Sequence, residues 1–267
     1  MTNLVPLAAP PTGSRYGIAQ ALRAEWSKLR TLRSTKWTLL VLVAGSLLIT
    51  FLTNEGFHRD GPGVFHGFDA TNHALTGLAL GSLVIGILGV LAITGEYGSG
   101  TIRSSLAATP RRPLFLAGKA LVVGAISLVV GEVMSFACFF LGQALLKGHT
   151  PTATLTQHGV ALTVGLSGAY LALIGLFALG LGLIIRNTAG AISAFVGLMF
   201  LLPVVLQPLQ AHGNPGRFTP EQILANSVAT VVHQSGELSQ APGFLWMVFY
   251  CALVLIVGGT LLARRDA

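Results

Sequence analysis

Two acidic residues stand where charge is out of place. Ile18, Leu22, Trp26, Leu29 and Leu32 recur at steps of four, four, three and three, the apolar stripe of an amphipathic helix. Glu25 projects from that stripe, so its carboxylate needs a cation. Lys28 is in reach at i+3, and a basic side chain from another segment is the more informative partner. Glu132 is the other case, the only ionisable residue deep inside a long apolar run. It reads either as a functional group or as a structural hydrogen bond to a neighbouring helix. Gln143 and Gln207 lie nearer the ends of such runs and are weaker signals. The seven histidines (His58, His66, His73, His149, His158, His212 and His233) all fall in or beside segments on one predicted side. Their spacing matches no ligand motif and no cysteine is nearby, so they read as polar loop residues. Metal capture or pH sensing is the alternative.

No catalytic set is present. Gly118-Lys119 is followed by Ala120, without the G-x-x-x-x-G-K-[ST] spacing of a phosphate-binding loop. Neither H-E-x-x-H nor G-x-S-x-G occurs. The sequence assigns no catalytic, cofactor-binding or metal-binding residue.

The elements that position these residues must live in lipid. Only 9% of the 267 residues are charged and 52% are hydrophobic, against about 25% charged in soluble domains. Cys138 and Cys251 both lie in apolar runs, which excludes a disulfide scaffold, and the hydrophobicity excludes disorder. Six runs are near the length of about 20 residues that crosses a bilayer: about 37–53, 74–94, 114–146, 159–185, 190–210 and 243–263. Unpaired backbone groups find no partner in lipid and no run alternates like a barrel strand, so these are helices. Some 36 residues with six basic side chains precede the first span and no cleavage site follows, so it is no signal peptide. Residues 1–15 read as a disordered tail.

Thirteen of the sixteen Lys and Arg fall on alternate sides of these spans, before the first, between the second and third, between the fourth and fifth, and after the sixth. Only Arg59, Lys147 and Arg217 fall on the other side. The positive-inside rule then places both termini in the cytoplasm. The net charge of +7 is thereby a topological asymmetry and calls for no nucleic acid.

Three segments outside the spans carry pattern. Residues 16–36 form the basic amphipathic helix, suited to the headgroup layer, as an anchor or a docking element. Gly95 to Pro113 reads GEYGSGTIRSSLAATPRRP. Ser99 is placed to cap a short helix over about 100–108, Pro110 to stop it, and Pro113 suits the first turn of the next helix. That helix is either a basic loop or a rigid knob for a cytoplasmic protein. Residues 220–232 carry Ile223, Leu224, Val228, Val231 and Val232 at helical spacing, as an interfacial or re-entrant helix or a loop cap. Glycines crowd the second and fourth spans, as close helix packing requires.

Residues 16–265 resemble the membrane-spanning permease subunit of ABC-2 type ATP-binding-cassette exporters, in the form common in actinobacteria. The resemblance rests on Glu25-Trp26-Ser27-Lys28-Leu29-Arg30, on Gly95-Glu96-Tyr97-Gly98-Ser99-Gly100-Thr101, and on Pro110-Arg111 with Lys119. It implies an all-α integral membrane protein with an elbow helix over 16–36, a coupling helix near 100–108 and a six-span permease domain over 37–265. It implies that Glu25, Lys28, Glu96, Gly100, Thr101, Arg103, Pro110 and Arg111 serve coupling to an ATPase, with Glu25 and Arg103 as a pair joining elbow to coupling helix. Glu132 is the intramembrane polar residue. The chain has no ATPase domain of its own. A cytoplasmic ATPase subunit would therefore supply ATP and magnesium chemistry, and a second permease copy would complete the pathway in the cell membrane. The competing readings are an ATP-independent carrier and a non-transporting assembly or immunity factor. A carrier would show inverted repeats and midplane charges, and no clear repeat is present.

Overall fold

Long apolar runs have one way to satisfy their backbone in lipid, and the computed structural model has them as helices. It describes residues 17–31, 33–59, 68–109, 111–148, 150–208, 215–230 and 238–264, all helical or irregular, with no strand among them. The helices are α1 (Ile18–Thr31), α2 (Arg33–Arg59), α3 (Ala70–Ala74), α4 (Leu78–Gly98), α5 (Ile102–Ala108), α6 (Arg112–Leu146), α7 (Val160–Ile185), α8 (Thr188–Val196), α9 (Leu202–Leu206), α10 (Pro220–Ser227) and α11 (Gln240–Arg264). Six segments are long and apolar enough to cross a membrane: 35–55, 78–98, 112–146, 160–185, 188–206 and 240–264. The expected tail over 1–15, Leu32, Pro110, Val231 and Val232 lie outside the described residues.

α7 is the axis of the bundle. It is apolar all round and mostly buried, with α4, α6 and α11 packed on it. Lipid removes the hydrophobic drive for this packing, so close approach must supply it. Gly89 of α4 meets Gly175 of α7 so tightly that a Cβ on Gly89 would lie 2.2 Å from the Gly175 carbonyl oxygen. Gly131 of α6 meets Gly168 in the same way, at 2.5 Å. Around these contacts Tyr170, Leu171, Ile174, Phe195 and Met134 form the main core. A second cluster lies at one end, built from Leu29, Ile93, Ile102, Phe115, Leu179 and Leu262. Lys28, Lys119, Arg112 and Arg186 gather at that end, called the basic end below.

Four boundaries depart from the sequence expectation. The second span does not begin at Ala74. The chain turns at 75–77, where Gly77 closes on the Ser46 carbonyl of α2, and α4 then runs on to Gly98, so Glu96 sits in its last turn. Ser99 does not cap α5. Its hydroxyl donates to the Gly95 carbonyl at 2.8 Å and it closes α4 instead. Gly100, at φ +72°, then turns the chain and Thr101 precedes α5. The fifth span is broken by a π-helical turn over Gly197–Leu201. Pro203 there lacks an N–H and its ring crowds the preceding turn, which the wider turn accommodates. Finally, α10 is shorter than expected. Its buried Ile223 and Leu224 pack on α7 and α11, so it caps the end of the bundle away from the basic residues. Tyr170 donates to the Pro220 carbonyl and Tyr250 to that of Phe218, which fasten the cap.

Candidate functional site: a buried ionic joint at the basic end

The joint begins with a small contact. Gly118 of α6 lies against Ala21 of α1, and a Cβ at 118 would stand 3.0 Å from the alanine methyl. One turn further along α1, this brings Glu25 over Lys119. Lys119 is 2% exposed and Glu25 5%, and charges so buried persist only when paired and hydrogen-bonded. Both conditions are met. The Lys119 ammonium donates to Glu25 Oε2 at 2.6 Å, to Glu96 Oε1 at 2.8 Å and to the Ala92 carbonyl at 3.0 Å. An ammonium has three N–H donors, and all three are used.

The second lysine closes the set. Lys28 donates to Glu25 Oε1 at 2.9 Å, to Glu96 Oε1 at 3.0 Å and to the Ser105 hydroxyl at 3.1 Å. Two lysines and two glutamates leave no net charge, so the cluster costs less to seal than any of its members alone. Burial by itself would lower the Lys28 ammonium. Hydrogen bonds to Glu25 and Glu96 and their negative charges outweigh that and hold it above the ordinary lysine range. Glu96 Oε1 thus serves both lysines, while its Oε2 is buried with no hydrogen-bond partner among the described residues.

Four elements meet here: α1 through Glu25 and Lys28, α4 through Glu96, α5 through Ser105, and α6 through Lys119. Ile102 anchors α5 from below, fully buried in the end cluster with Leu29 and Phe115. The Phe115 ring also lies under the Lys119 ammonium at 5.3 Å. On the opposite flank Arg112 donates to the carbonyls of Leu262 and Ala263, at 2.6 and 2.9 Å, and Arg186 to that of Leu261. Both guanidiniums so tie α11's last carbonyls to the same end, as cations at a helix C-terminus do.

The structure sorts the residues singled out in the sequence into three groups. Glu25, Lys28 and Glu96 come together in the joint. Gly100, Thr101, Arg103 and Arg111 lie exposed at the same end, outside it. Glu132 is elsewhere, on α6 far from the joint. The expected i+3 pair of Glu25 with Lys28 is present. The cation that reaches Glu25 from another element is Lys119, whereas Arg103, the expected partner, is on the exposed side of α5. The reason is register: the short helix starts at Ile102, and that turns Ile102 and Ser105 inward and Arg103 out. Ser105, Ala21 and Gly118 gave no signal as site residues. Lys119 carried one, as a lysine inside an apolar run. Among the described residues no group of three His, Cys, Asp or Glu is placed to hold a metal.

No curated protein matches the chain. The model of one family does, described as ABC-2 family transporter protein, and it matches residues 21–204. The match begins within α1 and ends in α9, and so takes in the whole joint and five of the six membrane-crossing segments. With six apolar helices among the described residues and these 184 residues matched, the chain belongs to the ABC-2 family of transporter proteins, as a multi-pass, permease-type component of an ABC transporter.

Proposed function

We propose that this chain is the permease subunit of an exporter driven by a separate cytoplasmic ATPase, and that the ionic joint carries the drive into the spans. In this reading the basic end faces the cytoplasm, α1 is the elbow helix and α5 the coupling helix. Two permease copies and two ATPase subunits form the working unit in the cell membrane. ATP and magnesium belong to the ATPase, and this chain holds neither.

The single observation that carries the reading is the pair of saturated ammonium groups. A force applied to α5 reaches α1 through Ser105 and Lys28, and reaches α4 and α6 through Glu96 and Lys119. An ionic cluster whose two ammonium groups are saturated resists shear better than apolar contacts, because its bonds have direction. Four elements therefore move together when one is pushed. Exposed Thr101, Arg103 and Arg111 supply the face that an ATPase groove would grip.

The test is co-expression with a candidate P-loop ATPase chain of the ABC type. The ATPase is expected to co-purify, and its hydrolysis to rise in proteoliposomes containing the permease. Arg103→Glu should abolish both effects in a chain that still folds, as its thermal unfolding checks. Unchanged co-purification and stimulation would overturn the coupling role of α5, and transport that proceeds without ATP would overturn the whole reading.

A further inference from the structure

Glu132 is left over from the joint. It lies thirteen residues beyond Lys119 on α6, about 20 Å further along at 1.5 Å per residue, and so within the apolar layer. Its side chain is half-buried. Among the described residues no hydrogen bond or ion pair reaches its carboxylate. A carboxylate at that depth carries a steep desolvation cost against lipid. The described residues supply nothing to offset it.

The surroundings of Glu132 are built to leave room. Its carboxylate lies over Gly168 of α7, where a Cβ would stand 2.7 Å from the glutamate Cδ. One turn further from the basic end, a Cβ on Gly165 would meet nothing within 4 Å. Leu162, Gly165, Leu166 and Ala169 follow at i, i+3, i+4 and i+7, one stripe of α7, and every one is at least partly exposed. α6 flanks this stripe on one side, where Ser135 donates to the Val164 carbonyl. α11 flanks it on the other, where Gln240 donates to Thr163 and Cys251 to the Leu173 carbonyl.

At the basic end the two flanking helices meet. Leu116 packs on Gly259, and Gly124 of α6 covers Leu176 of α7. Beyond Leu176 the stripe is uncovered, and it runs into a cavity of about 910 Å³ that Leu162, Leu166 and Leu245 line together with Asn226 and Gln240. The result is a wedge-shaped cleft. It has an apolar floor and a polar mouth at the cavity, and Glu132 stands on its α6 side against Gly168, outside the residues that line the cavity itself.

We propose that this cleft binds an amphiphile with a single cationic group, an amine or guanidinium. Glu132 meets the charge, and the apolar part lies along Leu162, Gly165, Leu166 and Ala169. A strongly hydrated ion has no ligands on that floor, and an anionic lipid would face the carboxylate. A second copy of the chain docked on this face by a two-fold axis would bring two Glu132 carboxylates toward each other. Exposed Val129 and Val133 beside Glu132 leave the wall open to lipid, so the ligand arrives from the bilayer. That this amphiphile is cargo rests on the permease reading; that it binds does not.

The experiment therefore uses the full chain alone, in phosphatidylcholine nanodiscs without ATPase. The probes are fluorescent alkyl amphiphiles of one chain length ending in an ammonium, an acetylated amine or a carboxylate. The ammonium probe is expected to bind saturably and the carboxylate probe not to. Glu132→Gln should weaken the ammonium probe about tenfold, a typical loss for one charge-assisted contact, and Glu132→Asp should retain most of the binding. Gly165→Leu, which fills the cleft and leaves the carboxylate in place, should weaken the ammonium and acetylated probes alike. Thermal unfolding of each variant separates lost binding from lost fold. Equal binding of cationic and anionic probes, or no effect of Glu132→Gln in a folded protein, overturns the proposal. So does a change of oligomeric state with Glu132→Gln, which would assign the face to a second copy. Intact binding without ATP-driven transport would leave the cleft standing and overturn the permease reading instead.

Discussion

At the scale of single residues, the joint is a problem of charge balance. Lys119→Met leaves Glu25 and Glu96 with one half-exposed lysine between them. Breaking a buried pair from one side costs about 3–5 kcal/mol, and we expect an unfolding midpoint lowered accordingly in detergent. Adding Glu25→Gln returns the cluster to one lysine and one glutamate, and most of that loss should be recovered. Fluorescence-monitored thermal unfolding of the single and double variants reads the difference. Equal stability of the two would show that Glu25 and Lys119 do not depend on each other.

A second residue-scale prediction concerns His73, at the other end of the molecule. Burial pushes its imidazole below the ordinary histidine range, and a hydrogen bond to the Thr53 backbone offsets this only in part. The fold therefore favours the neutral ring. Its contribution is complete above about pH 6.5 and is lost as pH falls through that value toward the depressed one. Glu221, raised by burial, works in the opposite sense, with the fold gaining as it is protonated. Unfolding temperature should drop between pH 7.5 and 5.5 in the native chain, and His73→Gln should flatten that slope.

At the scale of elements, the helices were legible in the sequence to different degrees, for physical reasons. A span announces itself by length and apolarity, and all six did. A misplaced charge announces itself too, which is why Glu25 and Lys28 could be named before any geometry. The partner could not, because nothing in the residues around 100 says which side of a seven-residue helix faces in. Two residues of offset in its start, about 100 against Ile102, exchange Arg103 for Ser105. The turn at 75–77 and the π-helical turn near Pro203 were equally silent, since apolar composition records burial in lipid and not the points where one backbone must clear another. Those points are where glycine substitutions should bite. Gly89→Leu forces α4 off the Gly175 carbonyl and should destabilise by about 1–3 kcal/mol or prevent folding. A Cβ on Gly197 meets nothing, so Gly197→Ala should be neutral or slightly stabilising in the same assay.

At the scale of the whole molecule, the asymmetry of charge and the asymmetry of structure coincide. The ionic joint, both arginine clamps and the exposed face of α5 occupy one end, and the fastened α10 cap occupies the other. The two cysteines are buried and free, which makes the chain a convenient background for labelling. A cysteine at Thr101 should react with an impermeant maleimide only in inside-out vesicles, and one at Gln222 only in intact cells. The reverse pattern would invert the orientation read from the basic residues.

The four charged members of the joint lie between Glu25 and Lys119, in the first half of the chain. Synthesis runs from the N-terminus, so they are all available before α7 leaves the ribosome. The part that would receive the stroke of the ATPase is then assembled first, and the pathway is laid down afterwards against a finished handle. A nascent chain arrested once α6 has cleared the ribosomal exit tunnel should already hold Lys119 shielded from amine reagents. In that order of birth, a defect in the joint is exposed to the cell's proteases before the remaining three spans have been made.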